Sequence, residues 1–247
     1  MSEEHQEAKE QNRDEGEKWG YDLYPERKGG KRKVGWWDLL WWGDDKGEID
    51  RQKCERRVAY VIEKSPLIKL MMDALKSSGC EVDIRRHIVC EGCEKTVTGG
   101  YDPTLNQIVV CQNMCRQDSV VQGVLFHEMI HMFDYCRNKL DFKNLQHLAC
   151  TEIRAANLAH CSFMSALVEG NVSPFSIANQ HAKCVKDKAI MSVLAVRKVS
   201  LEEARNAVES VFPQCYADLE PIGRRLRRNS QDMNIAYMER HYYGYTS

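Results

Sequence analysis

No run of apolar residues in this chain reaches the ~18 that a membrane-crossing helix needs, so any contact with a bilayer is expected to be peripheral. Charge of either sign is not in excess. The 35 Lys and Arg nearly balance 36 Asp and Glu, for a formal net charge of −1. That leaves no basic footprint of the kind nucleic-acid binding uses, and no nucleic-acid partner is expected. The first 18 residues have hardly any apolar side chain and carry seven acidic residues against Lys9, Arg13 and Lys18. A secretory segment would be apolar there, and a matrix presequence would be Arg-rich and acid-poor; neither pattern is seen. No internal repeat is visible.

What is there suits one soluble domain with flanking tails: 247 residues, 43% hydrophobic and 29% charged. Residues 1–33 read as a disordered, charged N-terminus. Residues 34–50 form a Trp-rich linker or docking segment, 51–230 the domain that carries the chemistry, and 231–247 a C-terminal tail. Trp36, Trp37, Trp41 and Trp42 are four of the five tryptophans. Indole prefers the boundary between apolar and aqueous phases. A membrane-surface anchor behind the basic stretch from Arg27 to Lys33 and a flap on the folded domain therefore both stay open. The basic run Arg224 to Arg228 reads as a solvated helix end or a contact for an anionic partner.

Apolar spacing predicts a helix over Gln52 to Lys76, kinked at Pro66 and ended by Gly79. Strands are expected at Val82 to Val89 and Gln107 to Val110, with turns at Gly99-Gly100 and Asp102-Pro103. Helices follow at Ser119 to Lys139, with Asp118 or Ser119 as N-cap, then Leu145 to Leu167, Ile177 to Val196 and Leu201 to Val211. The fold class is α+β and zincin-like: a small sheet, an active-site helix, then a mainly helical C-terminal half. The sheet's edge strand could take an extended substrate as an added strand.

The most informative residues are His127-Glu128-Met129-Ile130-His131, an H-E-x-x-H motif inside the apolar helix of Val120, Val121, Val124, Leu125, Met129, Ile130 and Phe133. At ~1.5 Å rise and ~3.6 residues per turn, the two histidines stand on one helix face about 6 Å apart along the axis. Their imidazoles can converge on one ion, and Glu128 can serve as general base. A zinc ion lowers the pKa of a bound water from about 16 to about 7. Buried histidines beside a carboxyl need partners, and a metal satisfies all three. The pattern points to a metalloprotease using Zn²⁺ or another divalent cation.

Zinc catalysis calls for a third protein ligand. Glu152, flanked by Thr151, Ile153, Ala155 and Ala156 on the next helix, is the first choice. Its small neighbours would allow close helix approach. His147 and then Asp141 follow. The structural alternative for Glu152 is an ion pair with Arg154 or Arg137. Asp134, three residues after His131, could accept a hydrogen bond from a ligand imidazole.

Eleven cysteines (54, 80, 90, 93, 111, 115, 136, 150, 161, 184 and 215) allow five disulfides with one thiol left over. Spacing alone leaves a second reading open, because Cys90-x-x-Cys93 and Cys111-x-x-x-Cys115 also have the spacing of a structural zinc site.

The run from His127 through Phe133, Asp134, Tyr135, Cys136 and Arg137 resembles the signature of the mitochondrial inner-membrane metalloprotease family that processes an ATP synthase subunit precursor. Three other stretches are similar to that family: Val89 to Cys93 with Gly99 to Pro103, Ile108 to Asn113, and His147 to Leu158. The resemblance covers roughly residues 51 to 230. It implies a zinc-dependent endopeptidase, peripheral on the intermembrane-space side of the inner membrane. The implied substrate is the precursor of ATP synthase subunit 6 (Fo subunit a), whose assembly into Fo such proteins also assist, partly without proteolysis. It implies His127 and His131 as metal ligands and Glu128 as the catalytic residue, and it favours disulfides over a Cys-bound zinc. Relatives have also been described as Ku-binding proteins. Two alternatives therefore stand beside the protease: a non-proteolytic assembly factor, and a nuclear adaptor binding zinc through its cysteines.

Overall fold

The computed structural model describes residues 23–28, 46–161, 174–227 and 230–246, with side chains from 179 onward in the third span. The four clustered tryptophans of the 34–50 segment lie outside the described residues, and its last five residues open a helix. The expected kinked helix resolves into two, α1 (Lys46–Lys64) and α2 (Pro66–Ser77). Ser65 breaks them: its hydroxyl accepts from the Ile68 N–H, and Pro66 takes the first helical position, where a missing N–H costs nothing. Gly79 (φ +84°) supplies the left-handed residue after α2.

A one-turn helix, α3 (Ile84–His87), replaces the first half of the expected strand, because Asp83 caps it by accepting from the Arg85 N–H at 2.9 Å. The strand proper is β1 (Ile88–Glu91). With β2 (Gly99–Asp102) and β3 (Gln107–Cys111) it forms a three-stranded sheet of order β1-β3-β2. β1 runs parallel to β3 (Ile88 opposite Ile108), and β2 antiparallel to it (Gly99 opposite Val110). The Gly99-Gly100 pair, expected as a turn, lies inside β2. These positions are glycine because neighbours crowd them. A Cβ on Gly99 would stand 2.3 Å from Val124 Cγ1, and one on Gly100 2.1 Å from the Tyr24 hydroxyl. The turn itself falls later, where Asp102 Oδ1 accepts from the Thr104 and Leu105 N–H groups.

The long helix α4 (Asp118–Arg137) packs against α1, α2, β2 and β3. Its N-cap is Gln117, with no side-chain cap bond, rather than Asp118 or Ser119. Leu70, Met71, Ile108, Leu125, Ile130 and Phe133 are buried in the core it shares with them. The next helix, α5 (Leu145–Ala155), runs directly into a π-helical turn, Ala156–His160. α5 packs with α6 (Pro174–Val196) and α7 (Leu201–Ala217) around Ile153, Val185, Val193 and Val208. A capping box between Ser200 and Glu203 starts α7, which continues past Val211 and through Pro213. Finally α8 (Asp232–Glu239) returns to α2, and Ala236 and Tyr245 join the first core.

Five disulfides staple this arrangement: Cys54–Cys90, Cys80–Cys136, Cys93–Cys111, Cys150–Cys215 and Cys161–Cys184, with Cys115 buried as the free thiol. Of the four sulfurs of the alternative zinc site, three are thereby committed, Cys90 to Cys54 and Cys93 to Cys111, and Cys115 alone keeps its thiol. In the basic run Arg224 pairs with Glu239, Arg225 with Asn157, and Arg227, itself exposed, with Asp232; Arg228 lies outside the described residues. Among the described residues no helix is long and apolar enough to cross a membrane.

Candidate metal centre

His127 and His131 share one face of α4, and their Nε2 atoms stand 3.1 Å apart. α5 brings Glu152 opposite them, with Oε1 3.6 Å from His131 Nε2 and Oε2 3.9 Å from His127 Nε2. Glu128, next to His127 in sequence, offers a carboxylate oxygen to the same cluster; its atom and the two histidine nitrogens lie within 4.8 Å of one another. Two carboxylates thus reach one pair of imidazoles, one from the same helix and one from its neighbour. The ion pairs considered for Glu152 do not form: Arg154 and Arg137 turn instead toward Asp134 and Asp218. His147 and Asp141 lie apart from the cluster. His147 Nδ1 accepts from the Asp141 N–H, and Asp141 Oδ1 from the Lys143 N–H.

Hydrogen-bond accounting fixes the state of His131. Arg154 Nε donates to both oxygens of Asp134, and the Thr151 hydroxyl spends its one proton on Asp134 Oδ2 at 2.8 Å. Thr151 Oγ1 can therefore only accept from His131 Nδ1, 2.8 Å away. That leaves His131 Nε2 as a lone pair facing the cluster. The direct Asp134–imidazole bond expected from sequence is replaced by a bond through Thr151. Arg154, 2% exposed, anchors the relay further by donating to the carbonyls of Asp218 and Glu220. His127 Nδ1 faces His160 Nε2 at 2.9 Å. Neither Thr151 nor His160 was picked out from the sequence.

Burial sets the charge states. It holds His131 down to about 3, helped by the charges of His160 and Arg154, and holds His127 well below the ordinary range, so both imidazoles are neutral. Burial pushes the Glu152 carboxyl up to about 7, against a hydrogen bond from Ser192 that lowers it. Glu128 is raised well above the usual carboxylate range by burial and by the charge of Glu152.

The cluster opens into a cleft of about 230 Å³. One wall comes from outside the main domain, from residues 23–28, which fall in the stretch expected to be a charged tail. Tyr24 donates its phenolic proton to the Gly99 carbonyl at 2.6 Å, and Arg27 is pinned by Asp102 at 2.5 Å and Glu91 at 3.1 Å. Gly99 is on the sheet's edge strand, so one carbonyl of that edge is already engaged.

Residues 52–223 match the peptidase M76 family. The chain belongs to that family. It is a metallopeptidase, similar to proteins named mitochondrial inner membrane protease ATP23 homolog. The Danio rerio relative is 41% identical over 222 residues, covering 89% of this chain and 83% of its own. The Xenopus laevis relative is 40% identical, covering 93% and 95%, and the Homo sapiens relative 45% identical, covering 70% of each. No solved structure matches the chain.

The M76 chemistry calls for a metal, and the donor set fits one. Glu152 Oε2 is buried with no hydrogen-bond partner among the described residues. An unpartnered buried carboxylate oxygen is costly unless a cation meets it. The separations of 3.1 Å between the two Nε2 atoms and 3.6 Å from His131 Nε2 to Glu152 Oε1 lie near the ~3.3 Å edge of a tetrahedron built on ~2.0–2.1 Å bonds, with Glu152 Oε2 3.9 Å from His127 Nε2. Two neutral nitrogens and one carboxylate would leave the M76 peptidase a position for water or substrate.

Proposed function

We propose that this M76 peptidase is a zinc-dependent endopeptidase, with His127, His131 and Glu152 holding the ion and Glu128 acting as general base and acid. The observation that carries the reading is two neutral, adjacent Nε2 atoms facing the buried Glu152 carboxyl, one oxygen of which has no hydrogen-bond partner, in one open cleft. When bound there, zinc supplies positive charge that polarises a scissile carbonyl and acidifies water. Glu128 accepts a proton at a carboxylate oxygen as water attacks the peptide carbonyl, then delivers it to the departing amine nitrogen. Thr151 holds the His131 ring in the tautomer whose Nε2 faces the ion. Residues 51–230 are the catalytic unit, 34–50 a linker or docking segment, and 1–33 and 231–247 its flanks.

The relatives' names support a site of action at the mitochondrial inner membrane, which we infer to be peripheral and on the intermembrane-space side. Five disulfides suit an oxidising compartment. By resemblance the substrate is the precursor of ATP synthase subunit 6, and the protein assists assembly of the Fo sector. The test is Glu128→Gln assayed on that precursor with purified protein. Cleavage falling by roughly 10²–10⁴-fold supports the mechanism; unchanged turnover refutes it. The same variant restoring ATP synthase assembly in cells would make assembly a separate, non-proteolytic role.

A further inference from the structure

We propose that His160 is a positioning residue for the metal centre, holding the His127 ring in the tautomer and rotation that ligation needs. This rests on the metal reading above. A ligating imidazole gives one nitrogen to the ion, and its other nitrogen donates to an acceptor that fixes the ring. His131 has such an acceptor in Thr151 Oγ1. For His127, whose Nε2 faces the cluster, the group meeting Nδ1 is His160 Nε2 at 2.9 Å, with the ring centroids 4.7 Å apart.

The backbone is built to bring His160 there. Continued α-geometry would turn His160 ~80° away from the face that carries Glu152. The π turn over Ala156–His160, closed by the Cys161 N–H donating to the Ala156 carbonyl at 2.9 Å, adds a residue to the turn and rotates His160 back. Such wide turns are rare and occur frequently at functional sites. The next residue, Cys161, is bonded to Cys184 on α6, which ties down the end of the turn. The two histidine ligands are thus supported differently: His131 through a hydroxyl backed by the buried Asp134–Arg154 pair, and His127 through an imidazole at the exposed end of a π turn.

The experiment measures zinc affinity by chelator competition, and the visible absorption spectrum of the cobalt-substituted protein, for wild type, His160→Ala and His160→Gln. Removing an outer support of a ligand histidine weakens metal binding by roughly 10–100-fold. His160→Ala should show that loss and a changed cobalt band, with its thermal unfolding unchanged. His160→Gln, whose amide oxygen can accept from Nδ1–H, should recover most of the affinity. Affinity within twofold of wild type in His160→Ala would overturn the proposal. So would loss of the ion as complete as in His131→Ala, which would make His160 a ligand. A wild-type chain that takes up neither zinc nor cobalt refutes the metal reading itself, and this inference with it.

Discussion

Thr151 Oγ1 stands 2.8 Å from His131 Nδ1, and because its own proton is spent on Asp134 it can only accept from that ring. One hydroxyl on α5 thereby decides which nitrogen of a histidine on α4 is free. Thr151 is 1% exposed, so water cannot take its place.

Thr151→Val keeps the shape and removes the acceptor. It should lower zinc affinity by roughly 10–100-fold while the fold persists, and Thr151→Ser should restore it. Chelator competition on the purified variants is the measurement.

Cysteine chemistry gives a direct count. All eleven cysteines are accounted for as five bridges and one buried thiol. A thiol reagent should label none in the native protein and one, Cys115, after denaturation without reductant. Removing a bridge such as Cys150–Cys215, by Ser at both positions, should cost about 2–5 kcal/mol in denaturant unfolding.

Acid should weaken the C-terminal lock. Asp232 accepts from the Arg227 Nε at 2.8 Å, the Arg227 Nη2 at 2.9 Å and the Arg227 backbone N–H at 2.9 Å. Those bonds from Arg227 hold its carboxyl well below the ordinary range, against burial. A carboxyl depressed in the folded state stabilises above its unfolded pKa of ~3.9, and that contribution fades as pH falls below it. Asp232→Asn should lower stability near neutral pH and flatten the fall in melting temperature below about pH 4. Thermal melts across pH 2–7 read both.

The sequence made the heart of the site legible because H-E-x-x-H needs only helical register, which the apolar spacing around Val124, Leu125 and Met129 declares. Glu152 was legible as a carboxyl among small and apolar neighbours. Thr151 was not, since its role depends on how α4 and α5 pack rather than on its own setting. His160 was hidden further, because no periodicity announces the π turn that re-aims it. The Gly99-Gly100 pair misled for a related reason: glycine serves close approach as well as turns, and only the fold shows Val124 and Tyr24 pressing on them. Arg27 sat in a charged stretch, and its burial against Asp102 and Glu91 is a tertiary fact. Pro66 and Asp83 each carried a legible local signal, a first-turn proline and an Asx cap, that outweighed the longer apolar pattern around them.

In the proposed centre Glu152 binds the metal while Glu128 works on the substrate. Zinc content per chain in wild type, Glu152→Gln and Glu128→Gln separates these two roles. About one equivalent is expected in wild type and in Glu128→Gln, and a large loss in Glu152→Gln. Zinc kept by Glu152→Gln and lost from Glu128→Gln would exchange the two roles and contradict that assignment.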